Sequence, residues 1–166
     1  MTILIAYVSM SGNTEDIAHL LQHTLTTAGH TVVLSDDLES LSVDALLEYD
    51  GVLLGAYTWG DGDVPYEAEG FVDDLYDADL DALPCAAFGS GDTDYPKYCA
   101  AVDTIENALR SANGMIAAPP LKIEFDPNTE AKRESCVSFT TTFMERLEEH
   151  KKVQLQGKAL KNLRSI

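Results

Sequence analysis

Positive charge is scarce in this 166-residue chain: 11 Lys and Arg stand against 28 Asp and Glu, a formal net charge of −17. Nucleic-acid affinity comes from basic side chains that neutralise phosphates, so this balance argues against DNA or RNA and points to basic partners. Cysteine is scarce as well. Cys85, Cys99 and Cys136 are odd in number and far apart, which fits reduced thiols in a cytoplasm better than a disulfide frame and offers no zinc spacing. No apolar run approaches the ~18 residues of a membrane span, and Met1–Val8 lacks the basic flank of a signal peptide. Secretion and membrane insertion are set aside with nucleic-acid binding.

What is present is ordinary globular material, 45% apolar and 23% charged, in a length that suits one domain with one substantial core. Thr2–Val8 (TILIAYV) is almost continuously apolar and β-branched, as a strand buried on both faces must be. Ile17, Leu20, Leu21, Leu25 and Ala28 recur at helical spacing until Gly29, a helix stop. Thr31–Leu34, Gly51–Tyr57 and Leu83–Gly89 read as the second, third and fourth strands. Lys97–Asn113 puts Ala101, Val102, Ile105, Ala108 and Leu109 on one helical face. Met115–Phe125 carries the fifth strand, with Pro119 and Pro120 making its first half an edge or a bulge. Asp126–Thr129 opens a last helix whose Cys136, Phe139, Phe143 and Leu147 face inward. Strands alternating with helices imply an α/β fold, a doubly wound five-stranded parallel sheet with helices on both faces.

In such sheets ligands bind beyond the strand C-termini, so the segments that follow each strand matter most. The first, Ser9-Met10-Ser11-Gly12-Asn13-Thr14, is a hydroxyl-rich turn running into a helix N-terminus, where unpaired amides and the macrodipole favour an anion. It holds no Lys or Arg and no G-x-G-x-x-G, so a single phosphoryl group fits better than a polyphosphate or dinucleotide. Ordinary N-capping explains the same residues equally well. The second segment, Thr58-Trp59-Gly60-Asp61-Gly62-Asp63, places the only tryptophan at a loop tip beside glycines and acids. A half-buried Trp on an acidic turn is the plainer account. The third, Ser90-Gly91-Asp92-Thr93-Asp94-Tyr95, adds an aromatic, and Tyr98 follows one helical turn on. A tyrosine near a loop is more often packing than ligand contact. Two loop aromatics beside an anion-binding helix end describe a slot for a planar ring with a phosphate handle.

These three segments, in this order at the ends of strands one, three and four, resemble the flavodoxins, small electron-transfer proteins that carry FMN, and among them those of Gram-positive bacilli. The resemblance covers about residues 2–149. Met10 stands at a position the family often fills with Thr. The resemblance implies a flavodoxin-like sheet in the order 2-1-3-4-5 and an isoalloxazine ring between Trp59 and Tyr95. It places the phosphate on the backbone and hydroxyls of Ser9, Ser11, Asn13 and Thr14, with Thr58 in reach, and counts Met10, Gly12 and Tyr57 among the cofactor-binding residues. The Ser90, Gly91 and Asp92 backbone would serve the pyrimidine edge, Tyr98 and Cys99 would lie close by, and the Gly60–Asp61 backbone would face flavin N5. Cys99 has no second thiol nearby in sequence, which favours packing over redox chemistry. Longer relatives carry an insertion in strand five; here Met115–Phe125 runs directly into the last helix, as in a short-chain member.

Charge is unevenly spread. Asp61, Asp63, Glu67, Glu69, Asp73, Asp74, Asp77, Asp79 and Asp81 follow one another with no intervening base, and are expected to ring the exposed flavin edge, lower its potential and steer basic partners. Some of them are a solvated helix face in any reading. Lys151, Lys152, Lys158, Lys161 and Arg164 then give residues 151–166 a charge of +5, which leaves −22 on residues 1–150. The tail is expected to be a loosely held extension of the FMN-binding domain 1–150, although Leu155, Ala159, Leu163 and Ile166 share a helical stripe. The expected function is a low-potential one-electron shuttle, cytoplasmic and monomeric, without a substrate of its own. Its partners would be basic-faced redox proteins, a flavodoxin/ferredoxin-type reductase as donor and haem or iron–sulfur enzymes as acceptors, with no nucleic acid and no membrane. An FMN-dependent quinone-type oxidoreductase of the same fold is the alternative. A phosphoacceptor signalling domain would need acids at the end of strand one, where Val8-Ser9 stand.

Overall fold

The computed structural model describes residues 1–163. Strand β1 (Thr2–Tyr7) leads to helix α1 (Asn13–Thr27), and β2 (Thr31–Ser35) to a 3-10 turn at Val43–Glu48. Then come β3 (Gly51–Tyr57), α2 (Tyr66–Tyr76), β4 (Pro84–Gly91), α3 (Ala100–Ser111), β5 (Met115–Ile116), β6 (Leu121–Glu124) and α4 (Glu130–Leu163). All pairings are parallel, and the order β2-β1-β3-β4-β5 is the one that the resemblance implied.

Alternation along β1 divides the core in two. Ile3, Ile5 and Tyr7 join Ile17, Leu21 and Leu25 of α1 and Phe139, Phe143 and Leu147 of α4 on one face. Leu4 and Ala6 join Phe71, Val72 and Leu75 of α2 and Val102, Ile105 and Leu109 of α3 on the other. Strands β1, β3 and β4 are covered on both sides, which is why their sequences show no polar alternation.

The expected fifth strand is two strands. Ile116 opposes Cys85 but Leu121 opposes Phe88, so four residues on this strand span what two span on β4. Pro119 and Pro120 have no N–H to give the ladder, and pairing resumes only beyond them. From sequence, helix α2 is visible only as a solvated acidic face, without its buried side, and the 3-10 turn is not visible. Helix α2 buries Ala68, Phe71, Val72 and Leu75 at three- and four-residue steps, a signal embedded among acids. Helix α4 begins where expected, with the Lys132 amide donating to Thr129 Oγ1 (3.3 Å), but runs on without a break past His150 to Leu163.

Because every strand is parallel, the sheet has one edge of strand starts and one of strand ends. Helix α4 spans both. The Lys132 ammonium donates to the Glu124 carbonyl (2.6 Å) at the strand ends, and Lys151 pairs with Asp50 (2.6 Å) at the strand starts.

Candidate cofactor site

The segments that follow β1, β3 and β4 converge on one cavity of about 480 Å³ at the strand-end edge. Its first wall is the β1–α1 turn, which contributes Met10, Ser11 and Asn13. Gly12, at φ +91°, is the residue before the helix and carries no capping side chain, so the helix end faces outward open. Ser9 Oγ accepts the Glu15 amide (3.3 Å). Thr14 does not line the cavity. It is buried beneath, its Oγ1 2.8 Å from Ser90 Oγ, and ties this turn to the end of β4.

The second wall is the loop after β3. Trp59 and Asp63 exchange both backbone hydrogen bonds (2.9 and 2.8 Å), which closes a tight turn over Gly60-Asp61-Gly62. Gly60 and Gly62 take φ of +51° and +92°, the left-handed region that glycine adopts without a Cβ penalty. Trp59 stands edge-on to Tyr57, ring centres 6.5 Å apart, and is 54% exposed. Thr58 Oγ1 accepts the Ala101 amide (3.2 Å), so one face of that hydroxyl is engaged at the start of α3 and its proton remains to be donated.

The third wall is the loop after β4. Ser90, Gly91 and Asp92 line the cavity, the Tyr95 amide donates to the Asp92 carbonyl (3.1 Å), and the Tyr95 ring is 63% exposed. Tyr98 is half-buried, and burial raises its hydroxyl pKa above the ordinary value, with Cys99 adding to the shift. Cys99 is fully buried, and burial pushes its thiol up to about 11. It stays protonated near neutrality and packs under the Ile123 carbonyl (4.0 Å).

Of the expected residues, Ser9, Gly12 and Thr14 do not line the cavity, and the others do. Four lining residues were missed: Gly62, Pro96, Lys97 and Phe125. Phe125 follows β6, so a fourth strand end was available to inspect, and its amide donates to the Gly91 carbonyl (2.9 Å). Lys97 gave no local signal. Its Nζ meets Asp61 Oδ2 at 2.8 Å, which raises the Lys97 pKa, and its stem packs where a Gly62 Cβ would sit, 2.7 Å from Lys97 Cδ.

The acids divide. Asp61 belongs to the cavity wall, while Asp63 and Glu67 lie beside it at the start of α2. Asp77, Asp79 and Asp81 do not ring the mouth as expected, because α2 carries the chain back to the strand-start edge. There Asp79 accepts the Asp81 amide (2.9 Å) and the Asn113 side chain (3.0 Å), which together hold its carboxyl below the usual range.

The donor set suits FMN. An uncapped helix end with neutral hydroxyls suits one phosphoryl group, and two exposed aromatics on separate loops suit a planar ring. Comparison with known proteins agrees. The flavodoxin family profile matches residues 5–139. Probable flavodoxin 1 of Bacillus subtilis is 46% identical over 143 residues, 85% of this chain and 89% of the relative. The flavodoxin of Nitratidesulfovibrio vulgaris is 37% identical over 76% of this chain and 87% of its own. Oxidised flavodoxin 2 from Bacillus cereus superposes with a TM-score of 0.84 at 46% identity, over 88% of this chain and 99% of that one. No helix among the described residues is long and apolar enough to cross a membrane. The chain belongs to the flavodoxin family, the FMN-binding electron carriers.

Proposed function

We infer that FMN sits with its phosphate on the Ser9–Thr14 turn and its ring between Trp59 and Tyr95, and that the protein trades single electrons rather than turning over a substrate of its own. The observation that carries this reading is the pair of exposed aromatics on two different loops facing one cavity beside an uncapped helix end. Met10, Ser11 and Asn13 meet the phosphate directly, with Tyr57 and Thr58 in reach. Ser9, Gly12 and Thr14 act by shaping the turn. The Ser90, Gly91 and Asp92 backbone serves the pyrimidine edge, with Tyr98 and Cys99 packed below it, and the Gly60–Asp61 backbone faces N5.

When bound, FMN supplies one-electron chemistry; the chain's own task is to seat the ring, keep water from its faces and leave one edge for a partner. The acids near the mouth fit basic-faced redox proteins: a flavodoxin/ferredoxin-type reductase as donor, haem or iron–sulfur enzymes as acceptors, all in the cytoplasm. Residues 1–150 form the FMN-binding unit, and 151–166 are a basic extension to it.

Adding FMN to the cofactor-free chain should quench Trp59 emission at one equivalent. The loaded protein should then pass electrons from a reductase to a haem protein, with no steady-state reduction of a quinone by nicotinamide alone. Direct quinone turnover would instead favour the quinone-type oxidoreductase. Unquenched Trp59 on FMN binding would remove that ring from the site.

A further inference from the structure

Phe125 holds a backbone conformation that its side chain disfavours. It follows β6 at φ +56°, in the left-handed region, where a Cβ crowds the next carbonyl oxygen. The other non-glycine residues at positive φ among those described are Asp81, Ala82, Cys99 and Asn113. Asp and Asn enter this region more readily than other side chains. Asp81, Ala82 and Asn113 also meet at the strand-start edge, where the Ala82 amide donates to the Asn113 carbonyl (2.9 Å). Cys99 and Phe125 remain, and both line the cofactor cavity. Strain of this kind persists where surrounding structure over-determines it, and it gathers at functional sites.

The chain around Phe125 is tied down on both sides. Its own amide donates to the Gly91 carbonyl (2.9 Å), one residue past the Gly91–Glu124 pairing that ends the β4–β6 ladder. Before it, the Glu124 carboxylate accepts the Thr93 hydroxyl and the Glu124 carbonyl accepts the Lys132 ammonium (2.6 Å). After it, the Pro127 carbonyl accepts the Arg133 guanidinium (3.2 Å). None of these tethers uses the Phe125 ring. That ring is 46% exposed and belongs to neither half of the core. A glycine would take the same φ without a Cβ penalty and without emptying the core, so the fold alone gives no reason for phenylalanine here. The ring does line the cavity, together with Gly91, Asp92, Tyr95 and Tyr98. Strand β6 flanks β4 on the side away from β3, so Phe125 stands across β4 from the loop that carries Trp59.

We propose that Phe125 is a further cofactor-binding residue: its ring covers bound FMN on the β6 side, and the left-handed backbone is held in place to deliver it there. The proposal rests on the seating of FMN inferred above, in which the pyrimidine edge lies along the Ser90–Asp92 backbone, the segment to which Phe125 is hydrogen-bonded. A flat apolar ring at this wall keeps water from the cofactor and adds contact area. The strain weakens the cofactor-free chain, whereas the contact exists only with FMN bound. Strain and contact therefore act in opposite directions, and a substitution separates them.

Both halves of the core are filled by the chain's own side chains, so the full chain can be measured empty as well as loaded. Thermal melting of the cofactor-free chain and titration with FMN, followed through Trp59 and flavin emission, test the proposal. Phe125→Gly removes strain and ring together: the empty chain should melt no lower than the parent, while FMN should bind about tenfold more weakly. Phe125→Tyr keeps both, and should match the parent in both measurements. A Phe125→Gly chain that melts clearly lower when empty would make the ring part of the fold. One that binds FMN as tightly as the parent would give the ring no part in the site. Either outcome overturns the proposal and leaves the seating of FMN standing, provided that one equivalent still quenches Trp59. A parent chain whose Trp59 emission FMN leaves unchanged overturns the seating, and this proposal with it.

Discussion

Lys97 Nζ lies 2.8 Å from Asp61 Oδ2, and this pair joins the loop after β3 to the loop after β4 across the wall of the cofactor cavity. The two side chains are 56% and 86% exposed, so as a fastening the pair contributes little. As a charge it matters more. Lys97 lines the cavity as a cation beside Asp61 and Asp92. A unit charge beside the ring, screened by solvent, moves a one-electron potential by tens of millivolts. Lys97→Met should therefore lower the FMN potential by tens of millivolts, Asp61→Asn should raise it, and Lys97→Arg should leave it in place. Spectroelectrochemistry decides, and three unmoved potentials would mean that solvent screens the pair from the ring.

The acids near the mouth should act on encounter rather than on binding of the cofactor. Asp63→Asn, Glu67→Gln and Asp94→Asn combined remove three charges that are exposed and outside the cavity wall. Reduction by a basic-faced reductase should slow with salt in the parent chain and depend on salt less steeply in the triple variant, with FMN affinity unchanged. An identical salt slope would place the encounter surface elsewhere.

Gly60 has φ of +51°, and a Cβ there would come 3.1 Å from Asp63 Oδ2. On the seating of the ring proposed above, proton uptake at N5 on reduction calls for an acceptor, which the Gly60 carbonyl would provide by turning, and that turn needs free dihedrals. Gly60→Ala should bind oxidised FMN nearly as well as the parent and show a first reduction potential lower by tens of millivolts, a cost of about 1–2 kcal/mol. If oxidised and reduced binding weaken equally, the potential stays put and the glycine serves close approach alone.

Asp50 accepts the Thr2 amide (2.9 Å) and the Lys151 ammonium, and its carboxyl is held below the usual carboxylate range, the Lys151 hydrogen bond being the largest cause. Its lowered folded-state pKa means that this contribution is present above the ordinary carboxylate pKa and is lost as pH falls through the depressed value. Truncation after His150 removes the lysine, and should lower the neutral-pH melting midpoint slightly, by less than ~1 kcal/mol of stability, leaving FMN affinity intact. The difference between truncated and full chains should vanish in acid, and a truncation after Lys151 should show none. A large loss that persists in acid would mean that the extension packs on the body.

The three binding loops were legible because each follows an unbroken apolar strand, and a parallel sheet delivers all strand ends to one edge. Cys99 was legible as packing for want of a neighbouring thiol. Lys97 was not, since its position beside Asp61 depends on how two loops lean together and on Gly62 leaving room for its stem. The direction of α2 was equally hidden: its acids look alike in sequence, yet Glu67 starts the helix near the mouth and Asp77 ends it at the opposite edge. The break in the fifth strand was announced by Pro119 and Pro120, but the resumption of pairing at Leu121 was not.

That break has a bearing on solubility at high expression. A sheet with an open flank can recruit further strands from neighbouring chains and grow into aggregates. On this flank the pairing stops at Ile116, loses two consecutive amides at Pro119 and Pro120, and restarts two residues out of step. An incoming strand would find no continuous row of donors and acceptors along the outer side of β5 and β6. The same proline pair that shortens the sheet also ends it cleanly.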